Sequence, residues 1–217
     1  MVMLRPFRAL RYDGDKVGGL ARVVAPPYDV ISDRDRDDLY ERSDHNVVRL
    51  ILNRDEDRYA SAARALAAWR AEGVLARDAK PALYYYEEEF ALPDGSRHTR
   101  RGVLTTVKIE PFSAGVIRPH ERTFARAKKD RMALIKECRT NLSPIFGLFA
   151  KPPELLDPLR AATANAARVE LTDMNGWRHR MWIIEDPEVQ GALSAALAPE
   201  TVFIADGHHR YETALEY

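Results

Sequence analysis

Apolar and polar positions change their period several times along the chain, and each change marks an element. Tyr59, Ala62, Leu66 and Trp69 recur at three- and four-residue spacing, the stripe of a helix with one buried face, and Gly73 supplies its stop. Ser32 stands ahead of a helix running through Tyr40, with Asp35 in the capping-box position. Residues 46–52 are short, apolar and β-branched, and predict a strand. Residues 82–90 and 99–109 predict a hairpin about Pro93-Asp94-Gly95. Further on the pattern predicts a helix over 129–139, a strand over 144–149 and an Ala-rich helix over 155–167. Asp173-Met174-Asn175-Gly176 reads as a turn between two strands, the second over 177–184. A helix over 188–197, a strand over 201–205 and a last helix with Tyr211, Ala214 and Leu215 on its buried side complete the series.

Hairpins interleaved with helices predict an α+β fold, a mixed sheet with flanking helices, and not a regular doubly wound sheet. The chain is expected to be a single N-terminal portion, 1–217, of a longer protein, with a sub-boundary near 110–125, because it stops inside a helix without a cap. Hydrophobic residues make up 46% and charged residues 30%, enough apolar surface for a buried core. Lys+Arg and Asp+Glu balance at 33 each, so the chain lacks the basic excess of a nucleic-acid binder, and DNA binding is not expected. Cys138 is the only cysteine, which excludes an internal disulfide and a Cys-rich zinc cluster and points to a reducing compartment. No apolar run reaches membrane-spanning length. A cytoplasmic protein without membrane contact is the expectation.

The densest chemistry follows the strand at Phe203-Ile204-Ala205. Asp206-Gly207-His208-His209-Arg210 puts a glycine and four polar side chains at a helix start. Such a start presents unbonded N–H groups and a positive dipole end, which suits phosphate or carboxylate. Gly207 admits close approach of a ligand, and Arg210 offers a planar fork to two anionic oxygens. Asp206 is suited to hold a metal ion or act as a base, and the histidines to transfer protons. The same residues also make sense as a capped turn with surface histidines. Joint coordination of one ion by His208 and His209 is awkward, since neighbours on a helix point about 100° apart.

Arg118-Pro119-His120-Glu121-Arg122-Thr123 is a second candidate, with acid–base, hydroxyl and cationic groups, and it reads equally as a solvated loop. Asn141 and Ser143, before a strand, suit a ligand or a helix cap. Tyr28 and Asp29 sit on the stiff loop after Pro26-Pro27. The common Gly-rich phosphate loops, GxSxG and HExxH are absent.

Several segments, RPFRALRYD, VVAPPYDVIS, HNVVRL, RPHERT, RTNLSPIFGL and ADGHHRYETAL, occur here in one order. On these the chain resembles, over essentially all its length, a mainly bacterial family catalogued as domain of unknown function family 1015, whose members run on past this chain's end. The strand-DGHHR-helix element is also similar, over about ten residues, to the ParB/sulfiredoxin superfamily and its free serine kinases. That likeness implies phosphate contacts from Gly207 and Arg210, a place for Asp206 by the reacting group or a metal, and His208 or His209 flanking it. The sulfiredoxin cysteine is replaced by His208, which removes its thiol chemistry.

The leading expectation is a nucleotide-binding phosphotransferase, a kinase of a serine-like hydroxyl metabolite, using Mg²⁺ and ATP or ADP. Asp206, His208 and Glu121 carry its catalytic roles. Gly207, His209 and Arg210 bind phosphate. His120, Arg122, Thr123, Asn141, Ser143, Tyr28 and Asp29 line the small-molecule substrate. A nucleotide-sensing switch without turnover is the alternative. A metal-dependent hydrolase using His120, Glu121, His208 and His209 is a third reading.

Overall fold

The computed structural model describes residues 1–150 and 153–217. In chain order its elements are β1 (Leu4–Arg5), β2 (Leu10–Tyr12), α1 (Asp33–Arg42), α2 (Val48–Ile51), α3 (Arg58–Ala71), β3 (Leu75–Arg77), β4 (Leu83–Ala91), β5 (Arg97–Leu104) and β6 (Thr106–Val107). These are followed by β7 (Ile117–Arg118), α4 (Ala125–Cys138), β8 (Phe146–Leu148), α5 (Asp157–Ala162), β9 (Arg168–Thr172), β10 (Arg178–Ile184), α6 (Pro187–Leu197), β11 (Val202–Asp206) and α7 (His208–Glu216). The sheets are antiparallel and mixed, so the fold is α+β as the patterning predicts. None of the described helices is long and apolar enough to cross a membrane.

The chain divides into two compact units, each assembled from three stretches. The first comprises Met1–Ala9, Asp78–His120 and Gly147–Ala205. Its main sheet has the order β5-β4-β10-β9, all antiparallel. The β4–β5 hairpin turns at Gly95, which takes a φ of 84°, while Asp94 Oδ1 accepts the Ser96 N–H. Side chains on a strand alternate between faces, so Leu83, Tyr85, Trp182 and Ile184 share one face. There they pack with Leu159 of α5 and Leu193 and Leu197 of α6 into one core. Further along the same face the positions turn charged. Buried Glu87 accepts from Tyr85 Oη at 2.9 Å and Arg101 Nε at 3.2 Å, and pairs with Arg180 at 3.1 Å. A smaller sheet, β7-β11-β8, carries β11 parallel to β7.

The second unit comprises Leu10–Arg77, Glu121–Phe146 and Asp206–Tyr217. Helices dominate it, with a β2–β3 ribbon. The predicted stripe on α3 does what its spacing requires: Ala62, Leu66 and Trp69 are buried against Leu50 and Ile51 of α2 and Leu134 and Cys138 of α4. Burying each such Leu or Ile stabilises by about 1.5–3 kcal/mol. Ser32 caps α1 as predicted, its hydroxyl accepting from Asp35 N while Asp35 Oδ2 accepts from Ser32 N. Tyr59 Oη donates to Asp130 at 2.7 Å, tying α3 to α4.

Three expectations fail, each for a physical reason. Within 46–52 the chain forms helix α2 (Val48–Ile51) and not a strand. Asn46, fully buried, accepts the Val48 N–H through Oδ1 and donates through Nδ2 to the carbonyls of Arg22 and Val24. That side chain starts a helical turn, and the turn brings Val48, Leu50 and Ile51 into the interior together; packing overrides β-propensity. The helix expected over 155–167 shrinks to α5 between short 3-10 turns, because Ala167 O already accepts from Ile183 N at the start of the β9–β10 pairing. On α7 the buried side is His208, Tyr211 and Thr213, while Leu215 is exposed.

Asn46→Ala removes three hydrogen bonds of a fully buried side chain at once. Urea unfolding is expected to show a loss of about 2–4 kcal/mol. A loss under about 0.5 kcal/mol would contradict the role given to this side chain.

Candidate functional site

Strand β11 ends at Asp206, and Gly207 reverses the backbone with φ 93° and ψ 29°, a left-handed geometry that costs a residue with Cβ about 1–2 kcal/mol. Helix α7 starts at once, and its N-cap is Gly207 itself, with no side-chain cap. The first helical bond runs from Tyr211 N to Gly207 O at 2.9 Å. The N–H groups of His208, His209 and Arg210 lie ahead of that bond, in the turn where a helix concentrates its positive end. By contrast, Ser32 and Asp186 occupy the caps of α1 and α6 with side-chain oxygens.

Arg210 folds back over this turn. One guanidinium nitrogen donates to Asp206 Oδ2 at 2.5 Å and another to the carbonyl of Pro144. A Cβ at Gly207 would sit 3.0 Å from the guanidinium carbon, so the glycine serves both backbone conformation and the close approach of Arg210. The Arg210 side chain is 11% exposed and that of Asp206 47% exposed, leaving the carboxylate open to solvent on one side.

His208 is buried, with its Nδ1 2.8 Å from Glu121 Oε1. The Glu121 side chain is 52% exposed, so in this pair the carboxylate is the member that a solute reaches. His209 accepts the Phe124 N–H at Nε2, 3.0 Å away, which places its ring proton on Nδ1, and it stacks against the Phe124 ring at 6.0 Å. Thr123 donates its hydroxyl to Glu212 Oε2. Lys128 pairs with Glu212 at 3.1 Å and Glu216 at 2.7 Å. Burial acts to raise the Glu212 carboxyl, but the hydrogen bonds from Thr123 and Lys128 outweigh it and hold it below the ordinary carboxylate range.

Tyr28 lies under Arg131, whose guanidinium carbon is 4.0 Å from the ring centre. Burial pushes the Tyr28 phenol up while Arg131 and Arg210 pull it back, so both cations act on it electrostatically. Arg131 donates to Ile51 O at 3.1 Å and pairs with Asp130, as an arginine inside a core must.

The second unit therefore brings together Glu121, Thr123, Asp206, Gly207, His208, His209 and Arg210, with Tyr28 within electrostatic reach of Arg210. Asp29, Arg122 and Asn141 are exposed and Ser143 is half-buried. The 139–144 segment meets Arg210 through the Pro144 carbonyl rather than its small polar side chains. His120 belongs to the first unit, where its Nδ1 lies 2.7 Å from Ile204 O. Sequence reasoning missed Phe124 and the Pro144 carbonyl as partners, and did not assign Glu212 a role. Glu212 stands four residues after His208, the spacing of one helix face, and that was its available signal.

Asp206 and Glu121 supply hard carboxylate oxygens of the kind that Mg²⁺ prefers, and both are about half exposed. The arrangement can hold an anion at the α7 start and present a carboxylate base beside it.

Gly207→Ala is expected to lower stability by about 1–2 kcal/mol in chemical denaturation and to displace Arg210 from Asp206. Wild-type stability would show that the left-handed turn is not required.

The family model described as Protein of unknown function (DUF1015) matches residues 4–217, and the chain belongs to that family. No curated protein and no solved structure matches it.

Proposed function

We propose that this member of the DUF1015 family is a nucleotide-binding phosphotransferase acting on a small hydroxyl compound, serine-like in size and polarity. The observation that carries the reading is the start of α7: a helix end without a side-chain cap, next to an arginine on one side and a half-exposed carboxylate on the other. Phosphoryl transfer asks a protein mainly for positioning and charge neutralisation. The N–H groups of the first turn and Arg210 hold the phosphates. Asp206 would hold a Mg²⁺ accompanying them, which would supply neutralisation of phosphate charge. Glu121 accepts the proton of the attacking hydroxyl, and His208 holds Glu121 in place. Tyr28 lines the side toward Arg131. The likeness of the Asp-Gly-His-His-Arg run to free serine kinases supports the same assignment.

A nucleotide-responsive switch without turnover would use the same cradle, and the Asp206–Arg210 pair favours it as an alternative, because a phosphate competing for Arg210 would release Asp206 and Pro144. Turnover separates the two. The hydrolase reading is weaker on one count: His209 commits Nε2 to a backbone N–H.

Mg·ATP is expected to stabilise the protein by mass action, about 2.7 kcal/mol at a hundredfold excess over Kd. Arg210→Ala is expected to weaken that binding tenfold or more, about 1.4 kcal/mol, in a cooperatively folded protein. Glu121→Gln is expected to keep binding and lose about 10²–10⁴-fold in phosphate transfer to hydroxyl acceptors. Arg210→Ala binding Mg·ATP as the wild type does, or no stabilisation by any nucleoside phosphate, would sink the proposal.

A further inference from the structure

Residues 121–124 have no helix or strand to hold them, yet three of the four are tied to one helix. Glu121 meets His208, Thr123 donates to Glu212, and the Phe124 N–H donates to His209. The match is geometric. Side chains two apart on an extended chain lie on one side, about 6.5–7 Å apart, and residues four apart on a helix lie on one face with a rise of about 6 Å. Glu121 and Thr123 therefore pair in register with His208 and Glu212, while Arg122 between them is exposed. Glu212 is itself held from a second side by Lys128 of α4, four residues beyond Phe124. Phe124 is the N-cap residue of α4, so the segment is also anchored where that helix begins.

We infer that Thr123 and Glu212 are positioning residues for Glu121, holding the Glu121–Phe124 segment on α7 as a clasp so that the Glu121 carboxylate stays on His208. The functional half of this inference rests on Glu121 being the base of the proposed transfer; the clasp itself does not. An exposed carboxylate paired with one imidazole is too weak to immobilise an irregular four-residue segment, because ordering each backbone residue costs more than such a pair returns. Three contacts, two of them in register, share that cost. Thr123, placed by its sequence among substrate contacts, has its hydroxyl directed to Glu212 instead. Arg122, between two tethered neighbours, is exposed.

The test is made on the whole chain with isotope-labelled histidine, without metal or nucleotide, at one neutral pH. The ¹⁵N shift of His208 Nδ1 reports its contact with Glu121, and Glu121→Gln sets the value for a lost contact. Thr123→Val is expected to move that shift from the wild-type value toward the Glu121→Gln value and to speed amide exchange over residues 122–124. Thr123→Ser, which keeps the hydroxyl, is expected to restore both. Glu212→Gln, which keeps an acceptor but loses the charge facing Lys128, is expected to fall between. A His208 Nδ1 shift unmoved in Thr123→Val would overturn the clasp. Mg·ATP binding by the wild type is measured in parallel: its absence overturns the phosphotransferase reading and leaves the clasp standing, whereas normal binding with an unmoved shift overturns the clasp alone.

Discussion

The left-handed turn at Gly207 is the constraint on which the candidate site depends. Strand β11 carries the chain to Asp206, and a single residue then redirects it into α7. Only a residue without Cβ does this while Arg210 lies 3.0 Å from the place a Cβ would occupy. The consequences follow from that one geometry. Asp206 and Arg210 meet four residues apart, His208 is turned inward to Glu121, and the first-turn N–H groups of α7 have no side-chain cap.

The Asp206–Arg210 pair has two faces. In the protein alone it holds the guanidinium over the turn, so the cation is placed before any anion arrives. Pairs of this partial exposure are worth about 0–1 kcal/mol, far less than a phosphate held by two or three charge-assisted bonds. In the proposed function a phosphate would therefore compete for Arg210 without the pair being a barrier. The carboxylate released in that exchange would be the one proposed to accept a cation. Glu121 differs, since its partner is buried and its own oxygens are not. That asymmetry leaves the carboxylate as the member of the pair that a solute reaches, as the proposed role of Glu121 requires.

Local chemistry was readable in the sequence wherever it is settled by neighbours. The capping box at Ser32 and Asp35, the α3 stripe and the β4–β5 hairpin each follow from residues within one element. Residues 46–52 were misread because Asn46 reaches carbonyls more than twenty positions away, and no local pattern carries that. The same division runs through the site. Asp206, Gly207 and Arg210 were legible as a strand, a glycine and a polar helix start. Pairing of Thr123 with Glu212 and of Phe124 with His209 spans 89 and 85 positions, so composition suggested the groups without their partners.

The central claim is that anions bind at the first turn of α7, and backbone amide shifts of the labelled protein during titration with Mg·ADP test it most directly. The account predicts saturable shifts largest at His208, His209 and Arg210, where an oxyanion would meet the N–H groups, with smaller ones at Glu121 and Tyr28. Saturable binding that leaves those three amides unmoved would contradict it.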